Sequence, residues 1–137
     1  MGALLAARPE PLAPVAIDLI LGADSISAPL TGIGRYALEL ARGLPEHPQM
    51  ARVRYFSLGR WTALHTLQGA ERTPLNQRPS LRSVLAGNRA AVQAFRLLMP
   101  TLQRLRLRGE QGTIYHSPNF FLPPFPGRTV TTVHDLS

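Results

Sequence analysis

Short aliphatic runs alternate along this chain with segments of helical period. Val15 to Leu21 (VAIDLIL) is aliphatic on both faces, as a strand buried inside a parallel sheet must be. Asp18 breaks the run and marks a candidate strand end. Tyr36, Ala37, Leu40, Ala41 and Leu44 recur at helical spacing, and Pro45 stops the pattern. Arg52 to Leu58 (RVRYFSL) carries Val53, Tyr55 and Phe56 and reads as a second strand. Gly59 to Ser80 has no clear period. It reads as a surface connection with irregular helix near Trp61 to Leu67.

Leu81 to Arg108 is the longest helical pattern. Leu81, Leu85, Val92, Phe95, Met99, Leu102 and Leu105 mark its apolar stripe. Pro100 is expected to kink or split it, and Gly109 to end it. Thr113 to His116 reads as a short strand entering a loop, Ser117 to Gly127, that holds four prolines. Thr129 to Val133 is a β-branched strand ending at His134-Asp135. The order β-α-β-α-β-β predicts an α/β fold with a mostly parallel sheet.

At 137 residues and 45% hydrophobic content the chain is one domain with enough apolar residues for a core. It has no cysteine, which excludes disulfides and cysteine-based zinc sites. The histidines fall at 47, 65, 116 and 134, without short ligand spacing, so neither a metal nor a cofactor is expected. No apolar run approaches the roughly 20 residues that span a bilayer. Ala3 to Ala7 is too short for a signal-peptide core and is followed by Arg8 and Glu10. Residues 1–13 therefore read as a disordered leader, 14–137 as the domain, and the compartment as cytoplasm.

Charge adds a partner question. All fifteen basic residues are Arg, and the net charge is +7. Arg suits forked contacts to phosphate and carboxylate; a GC-rich coding bias accounts for it equally, since Ala, Leu, Pro and Gly are also abundant. Eight arginines and no acid lie between Arg72 and Arg108. Arg82, Arg89 and Arg96, spaced by seven, share one helix face. Such a helix suits an anionic membrane surface, or is a solvated face whose Arg stems cover core. Nucleic acid is not expected, because no aromatic interleaving or known binding module accompanies the charge.

Thr31-Gly32-Ile33-Gly34-Arg35-Tyr36 sits between the first strand and the first helix, where backbone N–H groups and a helix N-terminus can meet a phosphate. Gly32 to Ala37 satisfies the dinucleotide pattern. Two observations oppose a dinucleotide: the loop begins about ten residues after the strand, and no acid follows the second strand to hold a ribose. With no lysine, a Walker A loop is excluded. A second reading needs only positive φ at Gly32 or Gly34. His134-Asp135 lies at a strand's C-terminal end, where open α/β sheets place their sites; a cap on a strand-end turn is the other reading. For His116, a ligand contact at the same sheet edge and packing among Pro118, Pro123 and Pro124 stand level.

Thr31 to Tyr36 in its post-strand position, Tyr115 to Pro124 (YHSPNFFLPP) and Val130 to Ser137 (VTTVHDLS), in that order, resemble the N-terminal half of family 4 retaining glycosyltransferases. These are GT-B enzymes, many of them bacterial mannosyl- or rhamnosyltransferases of surface-polysaccharide assembly. The resemblance covers Val15 to Ser137 and is generic between Gly59 and Arg108. It implies an incomplete N-terminal domain of a GT-B fold, Rossmann-like, lacking the C-terminal domain that grips the nucleotide. It implies a nucleotide-sugar donor and a glycan or lipid-linked acceptor. Gly32, Ile33, Gly34 and Arg35 would meet the donor diphosphate, His134 and Asp135 the reaction centre, and His116 and Asn119 the acceptor. Tyr36 reads as core packing. Transfer on the face the leaving group departs from needs no carboxylate nucleophile, and only Asp135 is well placed as an acid. Readings of another class are a non-catalytic membrane-surface or acceptor-binding module, or an inert gene remnant.

Overall fold

The computed structural model describes residues 15–72 and 88–135. The leader expected at 1–13, and Leu81, Arg82 and Leu85, lie outside the described residues. In chain order the elements are β1 (Ile17–Gly22), α1 (Gly32–Gly43), a 3-10 turn (Leu44–Glu46), β2 (Met50–Ser57), β3 (Arg60–Thr62), α2 (Leu64–Gln68), α3 (Arg89–Arg106), β4 (Ile114–Ser117) and β5 (Arg128–Thr131). The strands form one sheet in the order β3-β2-β1-β4-β5. β2 and β4 run parallel to β1 on its two sides, β5 runs parallel to β4, and β3 is antiparallel to β2. This is the α/β, mostly parallel arrangement that the alternation of periods predicts, and it is Rossmann-like.

Period two sorts the strand residues onto two faces. Leu19 and Leu21 of β1, with Tyr55 and the half-buried Val53 and Ile114, meet Ala37, Leu38 and Ala41 of α1. The alanines, four apart on α1, let the helix backbone approach the sheet. Ile20, Phe56 and Tyr115 face the other side and pack on Leu107. Ile20, Leu21, Leu38 and Leu107 are fully buried, each contributing about 1.5–3 kcal/mol by burial. Tyr55 adds a directed bond across the first core, its hydroxyl donating to the Ala41 carbonyl at 2.8 Å.

A partly buried ion pair closes the second face. Arg54 of β2 makes a bidentate contact with Glu110, Nη1 to Oε1 at 2.7 Å and Nη2 to Oε2. The guanidinium also lies 4.8 Å from the Trp61 ring centroid. Thr113 Oγ1 donates to the same carboxylate at 2.9 Å. The Arg54 bond, with help from Thr113, pulls the Glu110 pKa below the usual carboxylate value despite desolvation.

Two local expectations change and one is narrowed. Irregular helix was expected near Trp61 to Leu67, but Arg60–Thr62 is a strand, and only Leu64–Gln68 is helical. The turn between β2 and β3 is Leu58-Gly59, with φ of 48° and 75°. Positive φ at both centres suits a tight hairpin, and Leu at the first centre hides it from a sequence search for Asn-Gly. Asp24, just past β1, holds Leu58 there by accepting its N–H at 2.6 Å. Pro100 does not split its helix: Arg89–Arg106 is one element with Pro100 inside. α1 starts four residues before Tyr36, so both loop glycines are helical.

The apolar stripe of α3 is only partly used. Phe95 and Met99 line a cavity of about 520 Å³ with Ser57, Leu58 and Trp61. Leu97, Leu98, Leu102 and Leu105 stay exposed, and no residue of α3 is buried. No described helix is long and apolar enough to cross a membrane.

Replacing Tyr55 by Phe removes one buried hydrogen bond without opening a cavity. The expected loss is about 1 kcal/mol of unfolding free energy, read by urea denaturation. An unchanged midpoint would show that the bond to Ala41 contributes nothing net.

Candidate functional site

α1 opens with backbone donors that the helix itself cannot pair. Thr31 is its N-cap, in extended conformation, and its Oγ1 accepts the Gly34 N–H at 3.1 Å. The Arg35 N–H already bonds the Thr31 carbonyl at 2.9 Å. The N–H groups of Gly32 and Ile33 have no partner among the described residues, and the first turn holds no acid. An anion is stabilised there by the helix dipole and the open donors.

The two glycines have different reasons to exist. Neither has positive φ; among the described residues that conformation occurs at Leu58, Gly59 and Gly109. A Cβ on Gly34 would lie 2.6 Å from the Ser25 carbonyl oxygen. Only glycine lets α1 sit this close to the chain leaving β1. A Cβ on Gly32 would meet nothing within 4 Å. Packing does not require glycine at 32, and the open space beside it leaves the backbone approachable.

The ends of β4 and β5 supply the opposite wall. Ser117 is buried, and its hydroxyl reaches the Phe121 carbonyl at 2.6 Å and the Asn119 carbonyl as well. Thr131 Oγ1 donates to the Asn119 carbonyl at 2.9 Å, and Asn119 Oδ1 accepts the Phe120 N–H at 2.7 Å. These bonds tie the loop after β4 to β5. His116 Nε2 is 3.1 Å from Thr132 Oγ1, and burial lowers the His116 pKa. His134 Nε2 is 2.8 Å from the Pro118 carbonyl oxygen. Asp135 is exposed and has no partner among the described residues.

Tyr36 joins the two walls. Its ring centroid is 5.2 Å from that of His134, with the planes at 87°. The expectation of core packing for Tyr36 is corrected: it is 38% exposed. As the fifth residue of α1 it meets His134, beyond the end of β5, rather than the sheet. Arg35 lies elsewhere, with Nη1 3.7 Å from Glu71, which also binds Arg42.

Asp24 was not legible as special in the sequence. It lies just past β1, against the turn between β2 and β3. One edge of Asp24 is open to solvent, yet neighbouring groups crowd the carboxyl. Desolvation raises its pKa against the lowering effect of the Leu58 N–H and the Ser57 hydroxyl. A carboxylate two residues after a buried strand was the signal available. The described concavities of about 440 and 520 Å³ along β2 and β3 lie away from His134. Among the described residues no three acids or histidines cluster to hold a metal.

The lowered pKa of His116 fixes a pH dependence. The unfolded chain binds this proton at an ordinary His pKa of about 6.5, and the folded chain binds it only at lower pH. Between those two values the unfolded state holds more protons, so stability falls as pH drops below about 6.5. His116→Gln should flatten the change in melting temperature between neutral and mildly acidic pH. Equal slopes for both proteins would show that His116 is not the group responsible.

No family model matches this chain, and no solved structure matches it. It is similar to O-antigen chain mannosyltransferase B of Escherichia coli, with 33% identity over 122 residues. That alignment takes in 88% of this chain and 32% of the relative, so the chain spans about a third of the length of the protein it matches.

Proposed function

We propose that this chain is the N-terminal, Rossmann-like domain of a retaining GT-B glycosyltransferase of family 4. The enzyme transfers a sugar, mannose by analogy with the E. coli relative, from a nucleotide-sugar donor to a glycan or glycolipid acceptor in surface-polysaccharide synthesis. The observation that carries the reading is the meeting of the open α1 N-terminus with the β5 end, through Tyr36 and His134. It occurs in a chain similar to a mannosyltransferase.

In this proposal the N–H groups of Gly32 and Ile33 bind the donor diphosphate, while the Gly34 N–H stays with Thr31. Arg35 would leave its weak surface pair with Glu71 to join them, at little cost. His134 contacts the transferred sugar, Asp135 orients the acceptor hydroxyl, and His116 and Asn119 line the acceptor side. The acceptor oxygen bonds to the anomeric carbon as the diphosphate leaves from the same face. A diphosphate oxygen takes the acceptor proton. The domain supplies position and electrostatic stabilisation rather than a nucleophile.

The test is a chimera: the E. coli mannosyltransferase with its matching segment replaced by this chain. Mannose transfer to its acceptor is expected, with loss of about a hundredfold in His134→Ala. A folded chimera that transfers no mannose would overturn the reading. Gly32→Ala should leave melting unchanged while weakening donor binding, because the added methyl meets no protein atom.

A second reading concerns where the domain works. The exposed Leu97, Leu98, Leu102 and Leu105 of α3 are accompanied by Arg89, Arg96, Arg104 and Arg106, and no acid lies in the helix. This combination suits the anionic surface of the inner membrane on its cytoplasmic face. Co-flotation with anionic but not zwitterionic vesicles is expected, and Leu98→Glu with Leu105→Glu should abolish it. Equal flotation with both lipids, or none, would remove the membrane from the proposal.

A further inference from the structure

His134 has two ring nitrogens with different surroundings. Nε2 faces the Pro118 carbonyl oxygen at 2.8 Å. A carbonyl only accepts, so Nε2 carries the hydrogen. Turning the ring over would set a carbon against that oxygen and lose the bond. In the neutral imidazole the other nitrogen, Nδ1, is then a bare acceptor. Nδ1 has no partner among the described residues.

One hydrogen bond does not by itself fix a ring on a strand end exposed to solvent. The second restraint is Tyr36, whose ring stands perpendicular to that of His134 at 5.2 Å between centroids. Perpendicular aromatic contacts at this distance are attractive and directional. Tyr36 is itself anchored by the first turn of α1, which Thr31 caps and which the Gly34 approach to Ser25 seats against the segment leaving β1. Ring orientation at β5 therefore depends on the position of α1.

We infer that Tyr36 is a positioning residue that keeps His134 Nε2 on the Pro118 carbonyl and so presents Nδ1 as a hydrogen-bond acceptor. The ligand group that fits this atom is a hydroxyl donor, such as a sugar hydroxyl. A phosphate oxygen, which only accepts, does not fit it. The division of labour follows: the α1 donors take the anion, and His134 takes a hydroxyl. This rests on the glycosyltransferase reading for the identity of the ligand but not for the state of the ring.

The ring is tested on the full chain without ligand, by long-range ¹H–¹⁵N NMR of the His134 side chain above neutral pH. The expected spectrum shows a protonated Nε2 and an unprotonated Nδ1. Tyr36→Phe keeps that pattern, and Tyr36→Leu and Tyr36→Ala give a mixture of tautomers. A protonated Nδ1 in the parent chain, or a pattern unmoved by Tyr36→Ala and Tyr36→Leu, overturns the inference. In a chimera that transfers mannose, Tyr36→Ala should lower kcat/KM about tenfold, and Tyr36→Phe should restore it. An inactive chimera with the expected tautomer would instead count against the transferase reading alone.

Discussion

The central strand is the constraint on which the rest depends. β1 is bonded on both sides by parallel neighbours, β2 and β4. A parallel neighbour cannot be reached by a hairpin, so each crossing needs a connection over a sheet face. The chain leaves β1 through α1 to reach β2 on one side, and later returns to β4 on the other. The carboxyl ends of β1, β4 and β5 then lie along one edge. The change of direction between β1 and β4 opens the place where such sheets bind ligands.

Two close contacts convert that topology into a site. The Gly34 approach to the Ser25 carbonyl seats the N-terminus of α1 against the exit of β1. The bonds of Ser117, Thr131 and Thr132 draw the loop after β4 onto β5. Tyr36 and His134 meet because both supports hold. The pair of Arg54 and Glu110 acts on the opposite face, fixing β2 to the segment before β4. Removing one partner of such a pair leaves a poorly solvated charge, typically at a cost of about 3–5 kcal/mol when fully buried. The partial exposure of this pair reduces that figure.

The edge strand and α3 show where burial is incomplete. All four residues of β5 are exposed, and the leucines of α3 have no cover among the described residues. The first core, between the sheet and α1, is by contrast closed by small residues, Ala37 and Ala41, at helix spacing. The larger buried cluster lies on the α1 side of the sheet, which is also the side that carries the proposed phosphate-binding N–H groups.

The alternation of aliphatic runs with helical period determined the α/β class, because burial between helices demands strands that are apolar on both faces. The same patterning put His116 at the end of β4, one residue short of its last residue, but set Gly32 in a loop where it opens α1 and ended the last strand at His134, three residues beyond the end of β5. It did not reveal β3, because the turn that makes it depends on Asp24 holding Leu58 from 34 residues away. It did not distinguish Gly34 from Gly32, because the difference is a carbonyl oxygen nine residues earlier that only packing brings close. It assigned Tyr36 to the core, since period alone does not tell which helix face meets a strand end. The local pattern of polar and apolar residues fixes the elements. The contacts between distant elements, decided by how the sheet crosses over, fix which nitrogen of His134 is left free.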